Sequence, residues 1–532
     1  MNIAIFNHPF SDFYTSIKRV CSNNLNYLKD IIDRNSSIKH KIICFDVVKN
    51  FKKKINLPDK LFYLKDYLNN DISNYSFFSD YYRFGDVNNF NHKILKKLNP
   101  EIIIISSFAY CYFDGLKKII EYLKSLYDIP VVCGGHGPSS SPEYYLKNTL
   151  ADYIVVGPAE ITLCSLLDNL SEKKKIEIEN IYYRGGKPEI NLDKEYFFNT
   201  FIGQKKDNII QVQLTRGCPK KCSYCSIKII AGNKFRKVDI INFKKDIGAL
   251  NIKGKVHFDF EDDNLSTDTK YFFDVIKIIK EHYNDSTFSF ENGIDFTGLN
   301  KTIIDKLISY GIKQWNISLA TVNSNILHKK GRGYLLEQFN EIINYLEKFK
   351  QPIIVYFISG LINDSMNNIF DTLIYLASKK VIIGISSFYP VPGTEESKNI
   401  EKEIVPVLSK ASSFYQWSTV TTEEQVTFFV LSRFINSIKK IKMKEWEDIK
   451  TKRLRIYSNK ILSKGLTRRE LSILGILQSF KKEKLIYVNN ELNFIAHNLN
   501  KKIMVDFFKR IKEGSKIRNN DDYDLDINFF RH

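Results

Sequence analysis

Short, near-continuous runs of isoleucine and valine alternate with amphipathic stretches along most of this chain, and that alternation restricts its fold more than any other feature. Runs at 2–6, 41–46, 101–106, 129–133 and 152–156 are apolar without a polar face, as strands are when a parallel sheet is covered on both sides. Between them lie helical patterns such as "DGLKKIIEYLKSLY" and "EITLCSLLDNL". Residues 1–185 are thus expected to form an α/β domain with an open, doubly wound, flavodoxin- or Rossmann-like parallel sheet. Such sheets take ligands beyond the carboxyl ends of their strands, and two of those ends read "GGHGPSSSPE" (134–143) and "GPAE" (157–160). Residues 50–98 form a polar, aromatic-rich insertion to which the pattern assigns no structure.

A linker with room for a small hairpin follows, and then a second βα series begins. Its strand candidates are 209–214, 256–260, 287–290, 314–319, 353–358 and 382–388. Six βα units are too few for an eight-fold barrel; they fit an open, partial (β/α)6 barrel over 186–399, with active-site loops at the strands' C-terminal ends. From 400 to 532 the pattern is mainly helical and ends in "LIYVNNELNFIA", whose Asn-Asn suits a hairpin turn. That region reads as an accessory substrate domain, with a winged-helix module as the alternative.

The stretch "TRGCPKKCSYCSI" follows the first strand of the second series and places Cys218, Cys222 and Cys225 within eight residues. A structural zinc site wants four ligands, a disulfide framework an even number, and a fully ligated iron–sulfur cube four thiolates. Three thiolates leave one metal position open, which suits chemistry better than scaffolding. The other cysteines (21, 44, 111, 133, 164) are scattered, several in apolar runs, as buried free thiols of a reducing compartment are.

Residues 208–398 resemble the radical S-adenosylmethionine (SAM) superfamily, whose cluster loop has this Cys-x₃-Cys-x₂-Cys spacing with an aromatic before the last cysteine; Tyr224 fills that place. The resemblance implies a [4Fe–4S] cluster on the three cysteines. SAM would complete the fourth iron and be cleaved by one electron to methionine and a 5′-deoxyadenosyl radical. Further segments follow the family's order. "HFDFEDDNLSTD" implies that Asp262 and Asp263 meet the SAM ammonium, which needs charge-assisted acceptors; as a bare sequence the pair also suits a helix cap. "FSFENGIDFTGL" brings Glu291 near the ribose, and "WNISLATVNSNILHKKGRGY" brings Ser318 and Arg332. Ser318 is equally suited to satisfying backbone at a strand end, and Arg332 to a surface charge. "VYFISGLINDS" and "SFYPVPGT" match the fifth and sixth segments.

The first domain resembles that of the cobalamin-binding radical SAM enzymes. Gly134, Gly135, Asp152, Gly157 and Glu160 match its Gly-Gly, Asp-led strand and Gly-x-x-Glu turn. The glycines would let backbone approach a large flat ligand, and Ser139, Ser140 and Ser141 would donate to its polar rim. The Asp-x-His-x-x-Gly motif that gives a histidine to cobalt is absent, which implies cobalamin without a protein histidine on cobalt; His136 is the alternative ligand. The turn also departs from the usual "GEGE".

Taken together, the resemblance implies a cobalamin-dependent methyltransferase acting on an unactivated carbon. Related enzymes use the same parts for ring contraction or cyclisation, and a cobalamin-free radical SAM enzyme is a further alternative. A methylthiotransferase would need three further N-terminal cysteines in contexts this chain lacks. A zinc-stabilised, basic nucleic-acid-binding protein would need a fourth ligand near the triplet, and the nearest downstream histidine, His257, falls on an expected strand. The formal charge of +19 and pI near 9.2 invite nucleic acid. Lysines on solvated helix faces account for the charge, so nucleic acid is not expected as a partner. Expected partners are a small-molecule or peptide substrate and an electron donor such as flavodoxin or ferredoxin. No apolar stretch reaches the ~20 residues of a membrane span and no signal-peptide pattern opens the chain, so a cytoplasmic location is expected.

Overall fold

The computed structural model describes residues 1–14, 23–73, 75–186, 188–193, 200–206, 208–333, 336–451, 456–457, 460–461, 465–521, 523–525 and 530. Cys21, among the scattered cysteines, lies outside the described residues. By packing, the chain forms two compact units, each taken by itself: residues 1–56, 81–313 and 390–410 make the first, and 57–80, 314–389 and 411–532 the second.

The first unit opens on a mixed α/β layer whose strands are β1 (Asn2–Phe6), β3 (Lys41–Phe45), β6 (Ile102–Ser106), β7 (Val131–Gly134), β8 (Tyr153–Val155) and β9 (Ile181–Tyr183). They lie in the order β3-β1-β6-β7-β8-β9, all parallel except β9. The expected five-stranded doubly wound sheet is present, within one or two residues at each strand end. The sixth strand, β9, falls in the stretch read as a linker: three residues pairing antiparallel at an edge leave too short a pattern to see. The core packs Ile3, Ile5, Ile104, Val132 and Val155 against Leu163, Leu166 and Leu167 of helix Ala159–Ser171. Each such side chain contributes about 1.5–3 kcal/mol of burial.

Strand order reverses at β1, between β3 and β6, and the crevice of a doubly wound sheet opens at such a switch point. Part of the unassigned insertion lies alongside: β4 (Lys52–Ile55) and β5 (Tyr81–Phe84) form an antiparallel sheet with β2 (Phe10–Asp12) in the order β2-β5-β4.

A second sheet in the same unit has the order β10-β11-β14-β15, from β10 (Phe201–Lys206), β11 (Ile209–Gln213), β14 (His257–Phe260) and β15 (Thr287–Ser289); β10 is an antiparallel edge and the rest are parallel. In the second unit, β16 (Trp315–Ala320), β17 (Ile353–Ser359) and β18 (Ile382–Ser387) form a three-stranded parallel sheet. The six βα strands of the sequence pattern are therefore all parallel strands, divided three and three between two sheets.

Helix Thr422–Lys439 caps the open edge of β18, where Asn436 exchanges two hydrogen bonds of 2.8 Å with the Ile383 backbone; covering an edge this way blocks further strand pairing. The mainly helical expectation for 400–532 holds in helices Thr422–Lys439, Met443–Thr451, Arg468–Lys482 and Lys501–Lys512, and the Asn-Asn hairpin joins Ile486–Val488 to Phe494–Ala496. The remainder of the insertion, 57–80, packs on that hairpin: Ile72 N–H donates to the Val488 carbonyl at 3.0 Å, and the buried Tyr75 hydroxyl donates to the Ile486 carbonyl. No helix among the described residues is long and apolar enough to cross a membrane.

Candidate functional site

The cysteine loop leaves the sheet after β11 and passes through a narrow neck. Strand β12 (Thr215–Arg216) pairs antiparallel with β13 (Arg236–Lys237), and Val238 N–H donates to the Leu214 carbonyl at 2.8 Å. Gly217 closes the neck with φ +83°, where a Cβ would overlap the Lys234 carbonyl. Cys218, Cys222 and Cys225 are all half-buried and unbridged. Burial pushes the Cys225 thiol up to about 11, and charge on Cys222, Cys218 and Asp263 would push the same way. A thiol held from ionising by burial and by its neighbours' charge is one that a cationic metal cluster stabilises as thiolate.

The loop is held from several sides. Asp262 is buried, and its Oδ1 accepts from Leu214 N–H (2.9 Å), Thr215 N–H (2.5 Å) and Thr215 Oγ1 (2.7 Å). Its Oδ2 is sealed without a partner, and desolvation lifts its pKa to about 7. Asp263 Oδ2 accepts the Gly217 N–H at 2.9 Å. Burial raises the Asp263 pKa, while that hydrogen bond and the charges of His136 and Arg216 oppose the rise. Neither aspartate caps a helix: the cap of helix Thr269–His282 is Asp268, which accepts from Tyr271 N–H. Asn264 Nδ2 donates to Cys218 Sγ at 3.4 Å, a contact missed by sequence reasoning although Asn264 adjoins the aspartate pair. Ser223 and Lys220 anchor the rest, Ser223 on Glu396 and Lys220 on Asp295 and Thr297. Tyr224 is half-buried.

Glu291 is exposed and belongs to a carboxylate group with Asp259 and Glu261, whose ligand atoms lie within 4.8 Å of one another. Ser318 and Arg332 belong to the second unit, where Arg332 Nη2 donates to the Ser318 carbonyl at 3.0 Å. Two residues on, Ala320 holds φ +67° beside a bulge in the β16–β17 register. Strain of that kind at a strand's C-terminal end collects at functional positions.

At the carboxyl ends of the first sheet, Gly134 ends β7, and Gly135 takes φ +102° where a Cβ would overlap the Ser107 carbonyl. The ring of His136 is exposed, yet desolvation lowers its pKa, with Arg216 acting the same way and Asp263 opposing. Ser139 is buried and its Oγ accepts Gly157 N–H at 2.9 Å, while Ser140 Oγ donates to the Gly137 carbonyl at 2.8 Å. The Ser139 hydroxyl ties the two loops together, while that of Ser140 closes its own turn. Glu160 Oε1 pairs with Arg216 Nη1 at 2.5 Å. At the switch point itself, His8 Nδ1 donates to the Pro9 carbonyl (2.8 Å), and Nε2 accepts from Ser107 Oγ (3.1 Å). Burial holds the ring neutral, with its pKa lowered to about 4. Both nitrogens are engaged inside the chain, which excludes His8 as a metal ligand in this arrangement. His8 too was missed, for "NHPF" carries no pattern beyond the end of a strand.

The residues fit the groups these patterns imply. Three thiols with an amide N–H on one sulfur suit an iron–sulfur cluster, whose potential responds to such hydrogen bonds. The positive-φ Gly135 at the end of β7 suits a broad ligand lying against the sheet's edge.

Comparison with known proteins agrees. Residues 212–376 match the model of the radical SAM superfamily, and residues 86–167 that of the B12 binding domain. The chain is 27% identical over 216 residues to the bacteriochlorophyllide d C-12(1)-methyltransferase of Chlorobaculum tepidum, a match covering 39% of this chain and 46% of that relative, so it spans about half the relative's length. Its fold is similar to that of the radical SAM methyltransferase TsrM of Kitasatospora setae, solved with tryptophan and a SAM analogue (TM-score 0.55, 12% identity, 75% of this chain and 76% of that one). It is also similar to that of the cobalamin-dependent radical SAM enzyme OxsB, solved with aqua-cobalamin and SAM (TM-score 0.55, 13% identity, 96% and 75%). The cofactors these domains imply are a [4Fe–4S] cluster, SAM and cobalamin. The chain thus carries a B12 binding domain followed by a radical SAM domain, on the fold of the cobalamin-dependent radical SAM enzymes.

Proposed function

We propose that this protein is a cobalamin-dependent radical SAM methyltransferase that methylates an unactivated carbon. The observation that carries the reading is that the cysteine loop and the strand ends of the B12 binding domain share one compact unit and are joined side chain to side chain, Arg216 to Glu160 at 2.5 Å.

Bound together, the cluster, SAM and cobalamin supply one-electron cleavage of SAM and delivery of a methyl group. Cys218, Cys222 and Cys225 would hold the cluster. Asp262 fixes the loop backbone, which leaves Asp263 and the exposed Glu291 as polar contacts for SAM, with Ser318 and Arg332 assigned to the same cofactor by motif. Gly134, Gly135, His136, Ser139 and Gly157 would shape the cobalamin face. The Asp259–Glu261–Glu291 carboxylates offer acceptors to hydroxyl or ammonium groups. Substrate recognition is assigned to the second unit, where residues 57–80 fold together with the C-terminal helices. A cavity of about 490 Å³ there is lined by Tyr63, Tyr67, Tyr415, Gln416 and Thr422, a wall suited to a flat apolar or aromatic substrate. A flavodoxin or ferredoxin would supply the electron, and the unbridged cysteines suit a reducing cytosol.

The test is turnover with methyl-deuterated SAM, a one-electron reductant and candidate aromatic substrates under anaerobic conditions. The reading predicts 5′-deoxyadenosine and S-adenosylhomocysteine in equal amounts, with the label in the product. 5′-Deoxyadenosine alone would leave a radical SAM enzyme that transfers no methyl group, as in ring contraction or cyclisation.

A further inference from the structure

The Gly-x-x-Glu turn of a B12 binding domain invites its glutamate to be read as a contact to the cofactor. Here Glu160 is 1% exposed, at the start of helix Ala159–Ser171. Its Oε1 receives the Arg216 guanidinium at 2.5 Å and the Tyr27 hydroxyl at 2.5 Å, and Arg216 Nη2 donates to the Tyr27 oxygen at 2.8 Å. The guanidinium also lies over the Tyr27 ring, 5.7 Å from its centroid. The three side chains close a ring on one another, and Oε2 is sealed from solvent without a partner. Arg216 stands two residues before Cys218 and is continuous with the neck that Asp262 and Asp263 clamp.

We propose that Glu160 is the counter-charge of Arg216 and not a contact to cobalamin, and that the pair is a positioning device: it ties the cluster loop to the B12 binding domain and keeps the Arg216 charge from acting on the cluster. The proposal rests on the functional reading above for the presence of the cluster. A desolvated pair such as this cancels its own field; removing one member leaves a bare charge where screening is weak. Cluster potentials follow net charge and nearby charge. An uncompensated Arg216 therefore favours the reduced, more negative cluster, and an uncompensated Glu160 opposes it.

The experiment uses the full chain reconstituted anaerobically with iron, sulfide and hydroxocobalamin. Wild type, E160Q, R216Q, the double variant and Y27F are compared by redox titration followed by electron paramagnetic resonance, with cobalt and iron counted per chain. The expected result is a potential raised in E160Q, lowered in R216Q and close to wild type in both the double variant and Y27F. Cobalt in E160Q stays within about twofold of wild type. Loss of cobalt from E160Q with an unmoved potential would overturn the proposal and return Glu160 to the cofactor. Shifts of the same sign in both single variants would overturn it too, since a merely structural role moves them together. A wild-type chain that takes up no iron would refute the functional reading instead. The pair would then be read from a double-mutant cycle in denaturant unfolding, where less than about tenfold coupling would sink it.

Discussion

Ser223 and Glu396 hold each other twice: the serine hydroxyl donates to Glu396 Oε2 at 2.6 Å, and the Glu396 amide donates to the Ser223 carbonyl at 2.9 Å. Ser223 lies between Cys222 and Cys225, so this buried carboxylate fixes the middle of the cluster loop from a segment 173 residues away in sequence. E396A removes the acceptor of a charge-assisted bond, about 1.5–3 kcal/mol of local restraint. Iron retained per chain after reconstitution and desalting should fall at least about twofold, and E396Q should recover most of it. Full iron in E396A would show that the loop needs no such support.

The Asn264 amide on Cys218 Sγ makes a different prediction, about electronics and not occupancy. Removing an N–H donor leaves the sulfur more electron-rich and lowers the reduction potential. For a hydrogen bond of about 1 kcal/mol the shift in N264A is on the order of 40 mV for one electron. Iron content should be unchanged, and a redox titration reads the difference.

Gly135 tests the cobalamin face. Its φ of +102° and the Ser107 carbonyl behind it leave no room for a side chain. G135A should destabilise the protein by about 1–3 kcal/mol and reduce cobalt uptake at least about tenfold at equal iron. Thermal unfolding and metal analysis on one preparation measure both.

Asp364 carries a pH prediction in the second unit. It is 3% exposed, its Oδ1 accepts Ser365 N–H at 2.8 Å, its Oδ2 is sealed without a partner, and desolvation raises its pKa from 3.8 to about 6. A carboxyl raised in the folded state contributes stability that is present below the unfolded value near 4 and lost as pH rises through about 6. D364N keeps the shape and cannot ionise, so it should stabilise the protein by roughly 3 kcal/mol at pH 7 and leave it nearly unchanged at pH 4. Denaturant unfolding at the two values decides; equal effects would show that the carboxylate is not desolvated as described.

How far the sequence disclosed this molecule depended on periodicity. Parallel strands buried on both faces announce themselves as runs of Ile and Val, and β1, β3, β6, β7 and β8 lie within one or two residues of their expected positions. Edge pieces lacked such a signal: β9 is three residues long, and β12 and β13 two each. The insertion was opaque because its partners are remote, Phe10–Asp12 for β5 and the hairpin near 488 for residues 71–76.

At the candidate site, spacing singled out Cys218, Cys222 and Cys225, and order along the chain pointed to the aspartates. Spacing could not reveal that Asp262 is consumed by the Leu214–Thr215 backbone, that Ser139 serves Gly157, or that Glu160 meets Arg216. Those are pairings across dozens of residues between side chains with more than one suitable partner, and only packing selects among them.

The central claim, one chain carrying both a cluster and cobalamin, is tested most directly by counting metals. The protein is reconstituted without oxygen in iron, sulfide and hydroxocobalamin, desalted, and measured for iron, cobalt and zinc alongside its visible spectrum, with C218A/C222A/C225A as control. The account predicts about four irons and about one cobalt per chain, the iron lost and the cobalt kept in the triple variant. Iron without cobalt would contradict the cobalamin half, and zinc in place of iron would contradict the whole.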